Sequence, residues 1–327
     1  MRNKHLWTGA GAFMGMLILI LDGRTALEGA RQGIELCLKT VIPSLFPFFL
    51  LSILLTSSFM GSPLSILRPL GWLCGIPKGA ESLLISGFLG GYPVGAQSVA
   101  TAYRAGQLRK QEAERLLAFC NNAGPAFLFG MIAPIFPRQW MAWALWGIHI
   151  AGAIFAALLI PGDGTGVVTS VKAKQISLSA ALNASLRIMA AVCGWVVLFR
   201  VLITFLSRWI LWLLPTAAQV AVTGLLELSN GCCDLLRISD ISLRFLVCAG
   251  ILAFGGLCVT MQTVSVTAGL SLRHYFPGKL LQTAFSLLLA GAVIAGIGLP
   301  CCAVLLLTAF LLGKRRKNSS IQAAVGV

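Results

Sequence analysis

The side chains that could do chemistry in this sequence are few, and they lie beside breaks in apolar stretches. Glu227 is followed closely by Ser229 and Asn230, and the pair Asn121 and Asn122 precedes a Gly-Pro step. Amide and hydroxyl side chains are neutral hydrogen-bond donors and acceptors. A carboxyl group at membrane depth is costly, so Glu227 is a functional candidate as an ion ligand, a proton carrier or a hydrogen-bond partner.

Structural roles are open for the same residues. Asn121 and Asn122 could instead join helices by hydrogen bonds, and Glu227 could pair with a basic residue such as Arg200. The ten cysteines lie mostly inside apolar runs and the three histidines are scattered, which does not match the spacing of metal ligands. We therefore predict no metal, no cofactor and no catalytic residues, and we do not expect an enzyme.

The composition identifies the elements that must position these residues. Of 327 residues, 57% are hydrophobic and 11% charged, with a mean hydropathy of +0.89, whereas soluble domains carry about 25% charged residues. This predicts an all-α polytopic membrane protein. The 25 Lys and Arg against 10 Asp and Glu fit basic cytoplasmic loops better than nucleic-acid binding.

A membrane-spanning helix needs about 20 apolar residues. The predicted spans are Leu6–Leu21, Val41–Phe59, Leu116–Phe136, Trp140–Ile160, Leu186–Leu206, Phe245–Leu270 and Leu280–Gly298. Charges recur every three or four positions over 22–39, which is typical of an amphipathic helix at the membrane surface. The segment Arg104–Arg115 is predicted to be a solvated helix face.

These elements divide the chain into five parts. They are a membrane helix with the amphipathic helix (1–40), a first repeat (41–160), a cytoplasmic loop (161–179), a second repeat (180–313) and a basic tail (314–327). A cytoplasmic N-terminus puts most basic clusters on one face, including Arg273, His274 and Lys279, and also places the C-terminus inside. Four arginines do not fit this arrangement, namely Arg200, Arg208, Arg237 and Arg244.

Two apolar stretches are too interrupted to cross as one helix. Glu81–Ala100 and Ala217–Cys233 each contain several polar or glycine positions, so we predict re-entrant helical hairpins. Each is followed by a helix that is broken again, and the side assignment gives the two halves opposite orientations. Matched, interrupted segments in an inverted repeat are typical of a transporter with a solute site at the membrane midplane.

The predicted site combines the hairpin tips with the broken helices. Helix ends would offer unpaired backbone groups and their dipoles to a polar or anionic solute. No nucleotide-binding loop of the Walker type is present, so ATP is not expected to drive this chain directly. The candidate residues are Gly90, Gly91, Tyr92, Pro93, Asn121, Asn122, Gly124, Glu227, Ser229, Asn230, Gly255, Gly256 and Gln262.

Several motifs of the chain resemble the sporulation integral membrane protein YlbJ (SpoVV) family, from about Ala26 to Leu289. The motifs are Pro43–Phe49, Gly91–Ala96, Glu112–Pro125, Gly224–Glu227 and Gly255–Gln262. The resemblance implies a Gate, or nucleoside-recognition, fold in both repeats, similar to the core of concentrative nucleoside transporters. The stretch Thr260-Met261-Gln262 departs from the pattern, because related second halves often carry a His before the Gln.

The resemblance also implies a function. It suggests a secondary transporter that moves dipicolinic acid into the forespore, in the bacterial cell membrane or the outer forespore membrane. A nucleoside-type transporter and a non-transporting assembly protein of spore formation are the alternatives. Expected partners are the lipid bilayer and dipicolinate or a similar anion. A coupling H⁺ or Na⁺, a homo-oligomer and other sporulation membrane proteins are left open as partners.

Overall fold

The computed structural model describes residues 2–59, 64–160, 162 and 176–325. This part of the chain is helical and contains no β-strand. Its α-helices are α1 (Arg2–Leu21), α2 (Gly23–Leu36), α3 (Ile42–Phe59), α4 (Arg68–Leu73), α5 (Ser82–Leu89), α6 (Val94–Arg104), α7 (Lys110–Leu116), α8 (Pro125–Phe127), α9 (Gln139–Leu159), α10 (Leu178–Trp209), α11 (Thr216–Leu226), α12 (Leu228–Asp234), α13 (Ile241–Phe254), α14 (Gly256–Val266), α15 (Tyr275–Ile294) and α16 (Gly298–Val325).

Single turns of other helical types link some of these helices. Two are π-helical, over Cys37–Val41 and Leu128–Ile132. The 3₁₀ turns cover Ser65–Leu67, Ala133–Ile135, Leu211–Leu213 and Leu235–Arg237. Side chains fix some helix starts, since Ser177 accepts a hydrogen bond from the Ala180 amide and Asp240 accepts one from the Leu243 amide.

Five helical stretches of the described chain are long and apolar enough to cross a membrane. They are Gly23–Phe59, Gln139–Leu159, Leu178–Trp209, Ile241–Val266 and Tyr275–Ile294. Shorter apolar helices cover Gly9–Leu21, Pro125–Ile135, Thr216–Leu226 and Gly298–Gly313. The chain is therefore a multi-pass, all-α membrane protein. The predicted span Leu116–Phe136 is not one helix, because residues 121–124 are non-helical between α7 and α8.

The segment 22–39 differs from its prediction. It forms α2, but α2 runs through the π-helical turn directly into α3, so Gly23–Phe59 is one continuous stretch of 37 residues. At about 1.5 Å per residue this is roughly 55 Å. Its glycines face α10, where a Cβ on Gly29 would lie 2.8 Å from Val201 Cα and one on Gly33 2.9 Å from Val197 Cα. The helix over this segment is therefore not separate from α3, and one of its faces packs along α10.

The predicted solvated face Arg104–Arg115 is wrong at its end. Arg115 and Glu114 are buried. Glu114 accepts a hydrogen bond from the Ser271 amide and pairs with Arg273 at 3.1 Å. The Arg115 guanidinium donates to the carbonyl oxygens of Cys74, Gly75, Ala157 and Ile160. Nearby, partial burial and the charge of Arg273 hold the pKa of His274 below its usual value.

The apolar core has two clusters. The larger one joins residues of α3, α8 to α10 and α13 to α15, and the smaller one lies under α5, α6 and the turns after α7. Helix α15 packs against α9 and α13, and α16 packs against α9. The breaks between α5 and α6, α7 and α8, α11 and α12, and α13 and α14 meet inside this arrangement, where they form the candidate site.

Candidate solute-binding site

The first unit, which we define as α5, α6 and residues 117–127, contains two breaks that touch through backbone atoms. Between α5 and α6, Gly91 has a φ of +80°, and the Tyr92–Pro93 peptide bond is cis. A Cβ on Gly124 would lie 2.9 Å from both the Gly91 nitrogen and the Leu89 oxygen. Glycine is therefore required at position 124 for the close approach of the two breaks.

The second unit, which we define as α11 to α14, repeats this order of a short helix pair followed by an interrupted helix. Glu227 separates α11 from α12 with an extended backbone (φ −145°, ψ 121°). Gly255 separates α13 from α14, and both Gly255 and Gly256, the first residue of α14, have positive φ values, of +81° and +85°. A left-handed residue of this kind is a common way to end a helix. Gly256 packs on the short pair, because its Cβ would lie 3.0 Å from the Gly224 oxygen.

Tyr92 connects the two units. Its hydroxyl donates a hydrogen bond to the Leu252 carbonyl oxygen at 3.3 Å. The same hydroxyl would lie 3.0 Å from a Cβ on Gly255. The tip of the first helix pair therefore lies against the break of the second interrupted helix.

A cavity lies where these breaks meet. The room that it leaves for the centre of a water-sized sphere is about 30 Å³, and the empty space between its lining atoms, which includes the part that opens outward, is about 390 Å³. The wall is mostly apolar, and its polar side chains are Tyr92, Glu227, Ser229 and Gln262. The remaining lining residues are Val41, Leu45, Gly91, Ala123, Gly124, Phe127, Val192, Val196, Leu228 and Val259.

Six of the candidate residues from the sequence line this cavity. They are Gly91, Tyr92, Gly124, Glu227, Ser229 and Gln262. The other seven lie next to the breaks but are not part of the cavity wall. These are Gly90, Pro93, Asn121, Asn122, Asn230, Gly255 and Gly256.

Glu227 caps the helix that follows it. Its side chain is 2% exposed, and its carboxylate accepts hydrogen bonds from the amides of Ser229 (3.0 Å) and Asn230 (2.7 Å). The Asn230 side chain donates a third, at 2.6 Å. The backbone groups that we expected to be open to a solute at this tip are therefore already bound by the protein's own carboxylate.

The alternative pairing of Glu227 with Arg200 is not what the structure shows. The Arg200 guanidinium donates instead to the side-chain oxygen of Gln32 on α2, with its Nε 2.9 Å away. No ion pair of Glu227 occurs among the residues that the structure describes. The carboxylate is thus stabilised by hydrogen bonds alone.

Asn121 and Asn122 join the helices of the two halves. The Asn121 side chain accepts a hydrogen bond from the Ala96 amide at 3.3 Å and donates one to the Thr263 hydroxyl at 2.9 Å. Asn122 donates to the carbonyls of Gly87 and Phe119, and its oxygen accepts from Gln282 at 3.0 Å. These contacts therefore fit hydrogen bonding between helices, the structural role that the sequence left open, better than a place in the cavity wall.

Sequence reasoning missed a group of polar residues behind the cavity. Lys279, which we had placed with the cytoplasmic charges, is 1% exposed and donates to the Tyr92 hydroxyl, to the Asn121 carbonyl and to Gln282. His149 on α9 accepts a hydrogen bond from the Ala123 amide at 3.0 Å. The available signal was Lys279 with Gln282 three residues later, at the start of an otherwise apolar span.

Comparison with known proteins gives one informative likeness. No protein-family model matches the chain, and no solved structure matches it. The chain is 25% identical over 319 aligned residues to the sporulation integral membrane protein YlbJ of Bacillus subtilis (strain 168), covering 82% of this chain and 77% of that protein. The chain is thus a multi-pass membrane protein that is similar, over most of its length, to an integral membrane protein of sporulation.

Proposed function

We propose that the chain is a secondary transporter of a small polar or anionic solute, which binds in the cavity between the chain breaks. The observation that carries this proposal is that the polar side chains of the cavity wall come from both units. Tyr92 comes from the first unit, and Glu227, Ser229 and Gln262 come from the second. A bound solute would contact both units, so a movement of one against the other would open the cavity to one side at a time.

The proposal includes an inverted repeat with two re-entrant hairpins. Its support is the shared order of the two units, each with a short helix pair followed by an interrupted helix. Non-helical backbone at membrane depth is tolerated where it is buried in protein or lines a cavity, and both conditions hold for these breaks. Cytoplasmic termini follow from the distribution of basic residues.

Dipicolinate is the first solute that we propose, moving across the outer forespore membrane of a sporulating cell. The likeness to a protein whose name places it in sporulation supports this choice. The valine and leucine side chains of the wall would lie against the flat aromatic ring of dipicolinate once the cavity opens wider than the about 30 Å³ of this structure. Its carboxylates would use the Ser229 hydroxyl and the Gln262 amide.

A proton is the coupling ion that we propose. An anionic solute in the cavity would meet the carboxylate of Glu227, the one acid in the described wall, and like charges repel strongly where water is excluded. A proton on Glu227 would remove this repulsion. It would also weaken the hydrogen bonds that the Ser229 and Asn230 amides donate to Glu227, because the protonated carboxyl group carries no charge.

The test is uptake of radiolabelled dipicolinate by proteoliposomes that contain the purified protein. A hydrogen bond to a charged group contributes about 1.5–3 kcal/mol, so Gln262→Ala should reduce the apparent affinity at least ~10-fold. Gln219→Ala is the matched control, because Gln219 bonds Arg237 and the Leu214 carbonyl away from the cavity. Equal uptake by both variants would contradict the assignment of the cavity.

A thermal-shift screen separates the solute classes. Dipicolinate, nucleosides and small dicarboxylates should be compared at equal ionic strength, and a transporter should be stabilised by the solute that it binds. A shift with nucleosides alone would favour a nucleoside-type transporter over our choice. No shift with any solute, together with a stable co-purified membrane protein, would favour an assembly role instead.

A further inference from the structure

Lys279 is a buried basic residue that the proposed transport does not use. It is the fifth residue of α15, it is 1% exposed, and it does not line the cavity. Within the part of the chain that the structure describes, no carboxylate lies within ion-pair distance of it. A buried ammonium group without an ionic partner is expensive, so Lys279 keeps its proton only where its surroundings stabilise the charge in another way.

Three oxygen atoms surround the Lys279 Nζ atom. They are the Asn121 carbonyl at 2.7 Å, the Tyr92 hydroxyl at 3.0 Å and the Gln282 side-chain oxygen at 3.0 Å. An ammonium group has three N–H donors and no acceptor, so each donor has one partner. The centroid of the Tyr92 ring is 4.9 Å from the same Nζ atom.

The orientation of Gln282 is determined by its neighbours. The Asn122 nitrogen must face the Gly87 and Phe119 carbonyls, which can only accept. The Asn122 oxygen therefore faces the Gln282 nitrogen at 3.0 Å, and this turns the Gln282 oxygen toward Lys279. The three oxygens are thus positioned by the protein, and the arrangement is built for a cation.

The Asn121 carbonyl explains why a cation is needed here. Asn121 lies in the non-helical segment 121–124, so its carbonyl oxygen has no partner within a helix and must find a donor elsewhere. Near a chain break in a membrane protein, such carbonyls can be satisfied by a bound ion or by a side chain. In this chain the donor comes from α15, which is 158 positions away in the sequence.

We propose that Lys279 is a tethered cation, whose ammonium group fills a monovalent-cation site made of the Asn121 carbonyl, the Tyr92 hydroxyl and the Gln282 oxygen. The break at residues 121–124 then needs no free alkali ion. Shortening the side chain should empty this site for K⁺ or Na⁺, since ammonium and potassium ions are similar in size and both are coordinated by oxygen.

The test compares variants of the full-length protein in detergent with KCl, NaCl or choline chloride at equal ionic strength. The melting temperature of the unchanged protein should be the same in all three salts. For Lys279→Ala it should rise by about 3 °C or more when K⁺ or Na⁺ replaces choline, because an ion that binds only the folded state stabilises it. Equal melting temperatures of Lys279→Ala in the three salts would overturn the proposal.

Lys279→Met is the matched control, and it also tests the proposal independently of Lys279→Ala. Its side chain fills most of the same space without a charge, so no response to alkali ions is expected. Without the ammonium, backbone hydrogen exchange should become faster over 120–124, while the exchange in α10 stays unchanged. Native melting temperature and native exchange in Lys279→Met would overturn the proposal even if Lys279→Ala does not fold. The readouts contain no solute, so they are independent of the transport assignment.

Discussion

At the scale of single residues, Glu227 has two roles that compete. Its carboxylate caps α12 by accepting from the Ser229 and Asn230 amides, and it also forms part of the cavity wall. A helix cap contributes about 1 kcal/mol, which a proton or a nearby anion could readily offset. The residue is therefore suited to change its contacts when a solute or a proton arrives.

Glu227→Gln separates these two roles. We expect the variant to fold with a loss of about 1–3 kcal/mol, because its amide oxygen can replace only one of the two accepting carboxylate oxygens and its NH2 group then faces a donor. Uptake by the unchanged protein should increase several-fold when the outside of the proteoliposomes is made acidic. The variant should show the same uptake with and without the pH gradient. A gradient response that survives in Glu227→Gln would rule out this residue as the proton carrier.

Asn121 should behave as a structural residue. Asn121→Ala leaves the buried Ala96 amide without its acceptor, and an unsatisfied buried group costs about 1–3 kcal/mol. We expect the melting temperature to fall by about 5 °C and any loss of uptake to follow from lower stability. Solute affinity of the surviving folded protein should stay close to normal in an equilibrium binding assay. A native melting temperature with abolished binding would instead show that Asn121 belongs to the solute-binding site.

At the scale of elements, the close contact of two chain breaks gives a direct prediction. In Gly124→Ala the new Cβ would lie 2.9 Å from backbone atoms of Gly91 and Leu89, and backbone of this kind cannot move without shifting α5. We expect a loss of about 1–3 kcal/mol, as for other overpacked sites. Thermal unfolding followed by intrinsic fluorescence would measure it.

Gly147→Ala is the control for this effect. Gly147 lies inside α9, and a Cβ added there would have no neighbouring atom within 4 Å, so alanine adds helix propensity without a clash. The variant should be as stable as the unchanged protein or more stable by up to about 1 kcal/mol. A similar loss in both variants would show that the Gly91–Gly124 contact is not the cause.

The sequence predicted the breaks because their causes are local. Gly91, Gly255 and Gly256 adopt positive φ values, a conformation that glycine reaches without steric cost. The continuity of Gly23–Phe59 could not be predicted in the same way. Its charges suggested a surface, and Glu35 and Lys39 do form an exposed pair, but the opposite face packs against α10, which lies far away in the sequence.

The residues at the cavity also divide into those that the local sequence predicts and those that depend on distant packing. Glu227 and Gln262 could be found as polar residues beside glycine breaks, and both line it. The burial of Lys279 could not, because its position near the basic Arg273 and His274 is typical of a loop charge. Its partners Tyr92 and Asn121 lie 187 and 158 positions away, and only the packing of α15 against the first unit brings them together.

At the scale of the whole molecule, the proposed inverted repeat predicts opposite faces for two exposed basic residues. Lys78 precedes the first unit, and Arg237 follows α12 in the second. Cysteine replacements at these positions, in a Cys233→Ser background that removes an exposed native thiol, should react differently with a membrane-impermeant thiol reagent on intact cells. Arg237→Cys should be labelled and Lys78→Cys protected, until the cells are permeabilised. Labelling of both from outside would exclude the inverted arrangement.

The contact between Gly91 and Gly124 also bears on how distant relatives of this chain could be recognised. A Cβ on Gly124 would lie 2.9 Å from the Gly91 nitrogen, and Gly91 has a φ of +80°, a backbone conformation that residues with a side chain rarely adopt. A larger residue at position 124 could be accommodated only if the helix pair moved as a whole. We therefore expect both positions to remain small together in proteins that share this architecture. A search for this spaced pair could identify such relatives where overall sequence identity is too low to be informative.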